Sequence, residues 1–352
     1  MNQDDGNRWL GIDVGGANLK AAHGDGQART SPFAVWKEPG RLGEAIAELT
    51  GRFPPFDRVA ATMTAELCDC YATKREGVLA IIDAVSRAVP DRPTIYWGTD
   101  GRFHDADAVR SRPLIAAASN WLALASVAAR LVEGRRAILI DVGGTTTDLI
   151  PLAEGRVAAR GRTDTERFQN GELVYAGASR TPICALAAEL PFQGRPTGLA
   201  AELFATTRDV YLMLGDFTDD PDDRGTADGR PAVLECARDR LARMVGADRE
   251  SCSEDDARGL AKAVDGVLLD RLVRSARRAC EAAIGAPEVA LISGSGAFLA
   301  RRAAVELVGA EGEVVAWGDR WGAAASEAAC AHALVVLARS TSEDRDATAG
   351  RG

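Results

Sequence analysis

Two strings hold the residues best suited to chemistry, Gly11-Ile-Asp-Val-Gly-Gly-Ala-Asn18 and Ile140-Asp-Val-Gly-Gly-Thr-Thr-Thr147. In each, an aspartate and two glycines follow directly on a short apolar run. A strand that ends in Asp-x-Gly-Gly makes a tight turn whose backbone N–H groups can approach a phosphate, because no side chain stands in the way. The carboxylate beside such a turn can hold a divalent cation directly or through water. Asp13 and Asp141 are therefore the first candidates for catalytic carboxylates and metal ligands, with Gly15, Gly16, Gly143 and Gly144 as the phosphate turns. One such string is common at ordinary turns. Two of them, in the two halves of one chain, point to a duplicated domain that handles a phosphorylated ligand.

Leu291-Ile-Ser-Gly-Ser-Gly-Ala-Phe298 supplies a third glycine turn, Gly294-Ser295-Gly296, between an apolar strand and a helix. A helix N-terminus at that place favours an anion. A separate constellation follows the strand Arg58–Met63: Thr64-Ala-Glu-Leu-Cys-Asp-Cys70 and then Tyr71-Ala-Thr-Lys-Arg-Glu-Gly77. It gathers Glu66, Asp69, Lys74 and Arg75 at a strand's C-terminal end, where open α/β sheets bind ligands. Cys68 and Cys70 fit either a soft-metal pair or small thiols without a metal. Lys74 and Arg75 fit either anion partners or a solvated helix start. Arg162–Glu172 and Tyr175–Pro182 form a third polar cluster, readable as a cleft lining or as an exposed connection. Asn120-Trp121 fits a helix cap or a ligand contact, and His23, His104 and His332 have neither metal nor triad spacing.

The elements that must position these groups follow from the patterning. Strands are expected at Trp9–Asp13, Leu19–His23, Val35–Trp36, Arg58–Met63 and Thr94–Trp97, with helices over Leu42–Phe53 and Arg75–Val89. A long alanine-rich helix over Ile115–Val132 leads to the strand Ala137–Asp141, with hairpin partners at Asp148–Pro151 and Gly155–Arg160. After residue 170 the pattern is mostly helical, including Asp255–Ile284, and Asp216–Pro231 is a turn-rich loop that reads as a solvated insertion or else as a substrate lid or weak cation site. Strands at Val289–Ser293 and Glu313–Ala316 and a helix over Ala323–Ala338 complete the expected order, and Ser340–Gly352 reads as a disordered tail.

At 352 residues, with a net charge of −9, the chain suits two domains and lacks the basic footprint of a general nucleic-acid binder. No apolar stretch reaches the length of a membrane span. The N-terminal Met1–Gly6 has no signal-peptide pattern, and seven scattered cysteines do not form a disulfide framework, so a cytoplasmic protein is expected. Only four lysines occur, and two of them, Lys20 and Lys74, lie inside the motifs.

Taken in order, the three glycine turns resemble those of the actin-like ATPase superfamily. The resemblance implies an α/β fold of duplicated ribonuclease H-like domains around a central cleft. The first domain is expected over 1–114 and the second over 115–339, with a helical insertion at about 171–285 and a last helix that packs back on the first. The strings Gly11–Lys20 and Met63–Val78 resemble a narrower family, the hydantoinase A/oxoprolinase-like proteins of the tetrahydromethanopterin-linked one-carbon pathway, over about residues 8–335. Archaeal members of that family are methanofuran biosynthesis enzymes that join an aminomethylfuran diphosphate to gamma-glutamyltyramine.

That resemblance implies a transferase that releases diphosphate (a 2.5.1-type reaction) and takes small-molecule diphosphate and phenolic amine substrates. No nucleic-acid or membrane partner is implied, and a homo-oligomer stays open. Mg2+ near Asp13 and Asp141 is the expected cofactor, and ATP is not. Gly15, Gly16, Asn18, Lys20, Lys74, Arg75, Gly143, Gly144, Thr145, Thr146, Gly294, Ser295 and Gly296 would bind phosphate, and Glu66 or Asp69 would take the phenol proton. Two other classes compete: an ATP-dependent small-molecule kinase or ATP-driven amide hydrolase, and a non-catalytic nucleotide switch.

Overall fold

Trp9–Val14 is buried at all six positions, as a strand covered on both faces must be. In the computed structural model, which describes residues 8–132 and 134–349, it forms β1 at the centre of the first sheet. The N-terminal stretch read for targeting and the last three residues of the expected tail lie outside the described residues.

The chain runs on through β2 (Asn18–His23), β3 (Ala28–Pro32), α1 (Leu42–Thr50), β4 (Arg58–Met63), α2 (Lys74–Ala88), β5 (Thr94–Trp97), β6 (Phe103–His104), α3 (Ala106–Ser111) and α4 (Asn120–Leu131). The sheet order is β3-β2-β1-β4-β5-β6, with β1 antiparallel to β2 and parallel to β4. Register places Asp13 opposite Lys20 on β2 and beside Thr62 on β4, which sets all three on one face.

A second series follows: β7 (Ala137–Val142), β8 (Thr147–Ala153), β9 (Arg156–Val157), α5 (Asp164–Asn170), β10 (Leu173–Val174), β11 (Glu189–Phe192) and β12 (Arg195–Gly198). Then come α6 (Thr207–Leu214), α7 (Leu234–Met244), α8 (Glu254–Ala283), β13 (Val289–Ser293), α9 (Ala297–Val308) and β14 (Glu313–Ala316). This sheet is ordered β10-β8-β7-β13-β14, with β9 paired to the far end of β8. Setting β9 aside, both sheets read third-second-first-fourth-fifth strand in space. The duplication is one of topology.

The last elements are α10 (Trp317–Trp321), α11 (Ala323–Glu327) and α12 (Ala329–Ala349). Two compact units result. One comprises Met1–Ala137, Leu152–Glu166 and Val315–Gly352, and the other Ile138–Pro151 and Arg167–Val314. Both α4 and α12 belong to the first, and α12 packs on α4, β1, β2 and β4.

Several elements differ from the sequence expectation. The third strand is Ala28–Pro32, not Val35–Trp36; the latter follows the strand, and the Val35 amide is spent on Gly16. The helix expected over Ile115–Val132 begins only at Asn120, because Ala118 takes a left-handed φ of 48° that interrupts it, and it belongs with the first unit instead of opening the second. The largely helical stretch after residue 170 also contains the β11–β12 hairpin, turned at Gln193-Gly194 where both residues have positive φ. The expected Ala323–Ala338 helix is broken after Glu327, and α12 continues to Ala349 through polar residues that include neither proline nor glycine.

The Asp216–Pro231 loop is tied down by ion pairs. Asp209 and Asp228 hold Arg240, and Asp228 also pairs Arg230, which reaches Asp239. Among the described residues no helix is long and apolar enough to cross a membrane.

The closest packing in the first unit is between α12 and β1, where a side chain on Gly11 would run into the Ala331 carbonyl. Gly11→Ala is expected to lower stability by roughly 1–3 kcal/mol through overpacking. Urea denaturation measures this, and an unchanged midpoint would mean that α12 is not seated there.

Candidate active site

Each Asp-Val-Gly-Gly string forms the same turn. In the first unit Gly15 N–H donates to Asn18 O at 3.1 Å, and in the second Gly143 N–H donates to Thr146 O at 2.9 Å. The residue before the glycines is held the same way in both. Val14 O accepts from Thr64 N at 2.9 Å, and Val142 O accepts from Gly296 N at 2.8 Å. Carbonyls within the turns are engaged too: Gly16 O accepts from Val35 N at 2.9 Å, and Gly144 O from Ser179 N and Arg180 N at 3.0 and 2.8 Å.

In the first unit Asp13 is buried at the end of β1, while Asn18 and Lys20 on β2 are partly buried. Thr62, beside Asp13, shares a 2.9 Å hydrogen bond with Ser119, whose hydroxyl lies 2.8 Å from Trp97 O. The Cys-Asp-Cys segment lies against this loop. A side-chain carbon on Gly16 would stand 2.9 Å from Cys68 Sγ, and the Cys70 thiol points at Val35 O, 3.8 Å away. The described residues contain no group of three His, Cys, Asp or Glu side chains placed to hold a metal. The soft-metal reading of the two cysteines therefore has no further ligands to complete it, and they pack as small thiols around the first turn.

The carboxylates of the second constellation part company. Asp69 is exposed, whereas Glu66 is only 1% exposed on the short 3-10 turn Ala65–Leu67, and no side chain hydrogen-bonds either of its oxygens. Burial pushes the Glu66 carboxyl up to about 7, while the Lys74 ammonium pulls it down and Asp164 pushes it up. Gly77 of α2 lies so close to the Glu66 backbone that no side chain would fit there. Lys74 in the first turn of α2 pairs with Asp164 at 2.8 Å, and Arg75 is exposed. Thr73 caps α2 by accepting the Glu76 amide at 3.1 Å, which fixes that first turn.

In the second unit the Ser293 hydroxyl donates to Asp141 Oδ1 at 2.6 Å. Gly294-Ser295-Gly296 joins β13 to α9 with Gly294 at φ 92°, and the Gly296 amide closes on β7 as described. Thr145 and Thr146 are partly buried, and Thr147 donates to Ala176 O at 2.8 Å.

The third cluster splits in two. In the first part Asp164 meets Lys74, Glu166 accepts the Arg162 and Thr163 amides at the start of α5, and buried Arg167 pairs with Asp148 at 2.5 Å. In the second part, residues 176–180 wrap the second glycine turn, with Gly177 pressed on Gly143 and Thr145. Asn120 accepts the Trp121 amide at 2.7 Å, a local helix-start contact. His104 meets Asp100, His23 meets Asp25, and His332 lies against the Trp317 and Trp321 rings, where burial pushes it down to about 4.

Sequence reasoning did not single out Ser119, Asp164, Ser179 or Ser293, although Asp164 and Ser179 lie in the third polar cluster. The signal was weak in each case: serine and aspartate abound in connections, and only tertiary packing brings Ser119 to Thr62, Asp164 to Lys74, Ser179 to Gly144 and Ser293 to Asp141.

A model of the hydantoinase/oxoprolinase family matches residues 57–337. A protein of Methanocaldococcus jannaschii named (4-{4-[2-(gamma-L-glutamylamino)ethyl]phenoxymethyl}furan-2-yl)methanamine synthase is 37% identical over 264 residues, covering 74% of this chain and 78% of that protein. A Methanococcus vannielii protein of the same name is 30% identical over 204 residues, 58% of this chain and 90% of its own length. Among solved structures, a nucleotide-free acetone carboxylase aligns with a TM-score of 0.55 at 12% identity, covering 92% of this chain and 70% of that one. With the two identically ordered sheets, this likeness gives the fold as the duplicated ribonuclease H-like one.

The buried carboxyl makes a stability prediction. Folded Glu66 keeps its proton to about pH 7, whereas the unfolded chain loses it near the ordinary value of 4.5. Between those values the unfolded state binds fewer protons, so stability falls as pH rises. Glu66→Gln is expected to remove a fall of roughly 3 kcal/mol between pH 4.5 and 7. Urea titrations at a series of pH values test this; equal slopes for wild type and variant would contradict it.

Proposed function

The chain belongs to the hydantoinase/oxoprolinase family, and on that premise we propose that it is a synthase of methanofuran-type cofactor precursors that builds an aryl furfuryl ether. The main support is the 37% identity to a synthase whose name describes a phenoxymethyl-furan product. In the proposed reaction the phenol oxygen of gamma-glutamyltyramine, or of a related tyramine or tyrosine, bonds to the exocyclic carbon of an aminomethylfuran methyl diphosphate. The carbon–oxygen bond to diphosphate breaks, its electron pair leaves with the diphosphate, and the phenol proton passes to a base. The same relatives do not favour the kinase, amide-hydrolase or nucleotide-switch readings.

The furan ring releases electrons toward its exocyclic carbon, so departure of diphosphate is the step that needs the protein. Donors aimed at the leaving charge act most strongly where water is excluded. In the first unit the Gly15 amide is spent on Asn18 O, so the groups for this are the Gly16 amide and Lys20 on the Asp13 face of the sheet. In the second unit the Gly143 and Gly296 amides are likewise spent, on Thr146 O and Val142 O, which leaves Gly144, Thr145, Thr146 and the Gly294-Ser295 turn before α9.

Asp13 in the first unit and Asp141 in the second would each suit a Mg2+ ion: each is a single carboxylate beside a phosphate turn, and magnesium typically takes one or two carboxylates and fills its shell with water and phosphate oxygens. When bound, the ion would neutralise charge on the diphosphate. Glu66 is our choice of base, because burial raises its carboxyl to about 7 and so towards a phenol. Both of its oxygens are sealed, so the Ala65–Leu67 turn must shift for a phenol to reach it.

The test is product analysis with magnesium, synthetic [5-(aminomethyl)furan-3-yl]methyl diphosphate and a panel of gamma-glutamyltyramine, tyramine and tyrosine. The expected result is an ether and one diphosphate per turnover without ATP. ATP hydrolysis with no ether formed would sink the reading. Asp13→Asn and Asp141→Asn are each expected to cut turnover by about 100-fold or more with an unchanged melting temperature. Wild-type rates in either variant would remove the metal role.

A further inference from the structure

Glu66 is enclosed, and its backbone packs on Gly77 of α2, one turn after Lys74, whose ammonium pairs with Asp164 of α5 at 2.8 Å. The segment around Ala118 adds only a backbone amide, and the turn adds the amide of Glu66 itself. Asp164 is held firmly. Thr163 Oγ accepts the Glu166 amide at 3.3 Å, and Glu166 Oε2 accepts the Arg162 and Thr163 amides at 2.7 and 3.1 Å, which locks the start of α5. Lys74 is locked in turn by the Thr73 cap of α2, and Gly77, one turn later, presses on the Glu66 backbone.

As a clamp, the 2.8 Å Lys74–Asp164 pair does little, since both side chains are partly exposed and such pairs contribute about 0–1 kcal/mol. Its effect is larger on the buried neighbour, where water screens weakly. Lys74 alone would draw Glu66 into its ionised form. Asp164 opposes this twice over, by its own charge and by holding the ammonium.

We propose that Asp164 is a positioning residue for the reaction: it holds Lys74 and thereby sets whether the buried Glu66 carboxyl carries its proton. The catalytic meaning of this rests on Glu66 being the base; the electrostatic arrangement does not.

The experiment is infrared titration of the full chain, following the protonated-carboxyl band that Glu66→Gln removes. Asp164→Asn is expected to lower the Glu66 midpoint by about one pH unit and Lys74→Met to raise it by about as much, with the double variant near wild type. The acid limb of the pH–rate profile should move with each. If neither single variant moves the midpoint, or both move it the same way, the proposal is overturned. If the midpoint moves as expected while the rate profile stays put, the hold on Glu66 is confirmed and the assignment of Glu66 as base fails.

Discussion

The rest of the molecule depends on how the first strand of each unit ends. Val14 O and Val142 O each accept an amide from the segment that leaves the fourth strand, Thr64 and Gly296. That single bond fixes the chain where it turns through the two glycines, and the third-strand side closes on the carbonyls from the other edge. The Gly15 and Gly143 amides close the turns themselves, on Asn18 O and Thr146 O. Two unrelated stretches of sequence reach this arrangement because both sheets have the same strand order.

Around that shared frame the two units have diverged. The first places Cys68 in contact with Gly16 and seals a carboxyl at Glu66 within reach of Lys74. The second spends a serine hydroxyl on Asp141 and wraps its turn with residues 176–180. Glu66 is the costly feature. A carboxyl that is only 1% exposed is retained against the preference of charge for water, on a turn whose backbone packs on Gly77.

Much of the fold was legible because it is local. β5, β13 and β14 fall at the expected residues, and α2 and α8 are displaced by a single position at each end. The misses have different causes. Val35 looks like a strand residue, but its amide is claimed by Gly16, which is not near it in sequence; the Ile115–Val132 run looks helical throughout, but the left-handed Ala118 within it interrupts it.

The chain's own order of residues determined the three glycine turns, their aspartates and the segment that marks the family, because a turn's chemistry is written within a few positions. Only the tertiary structure decided that Glu66 is enclosed and Asp69 is not, that Cys68 touches Gly16, and that Asp164 reaches Lys74 across 90 positions. Burial and charge pairing depend on which distant elements pack together, and no spacing along the chain encodes that directly.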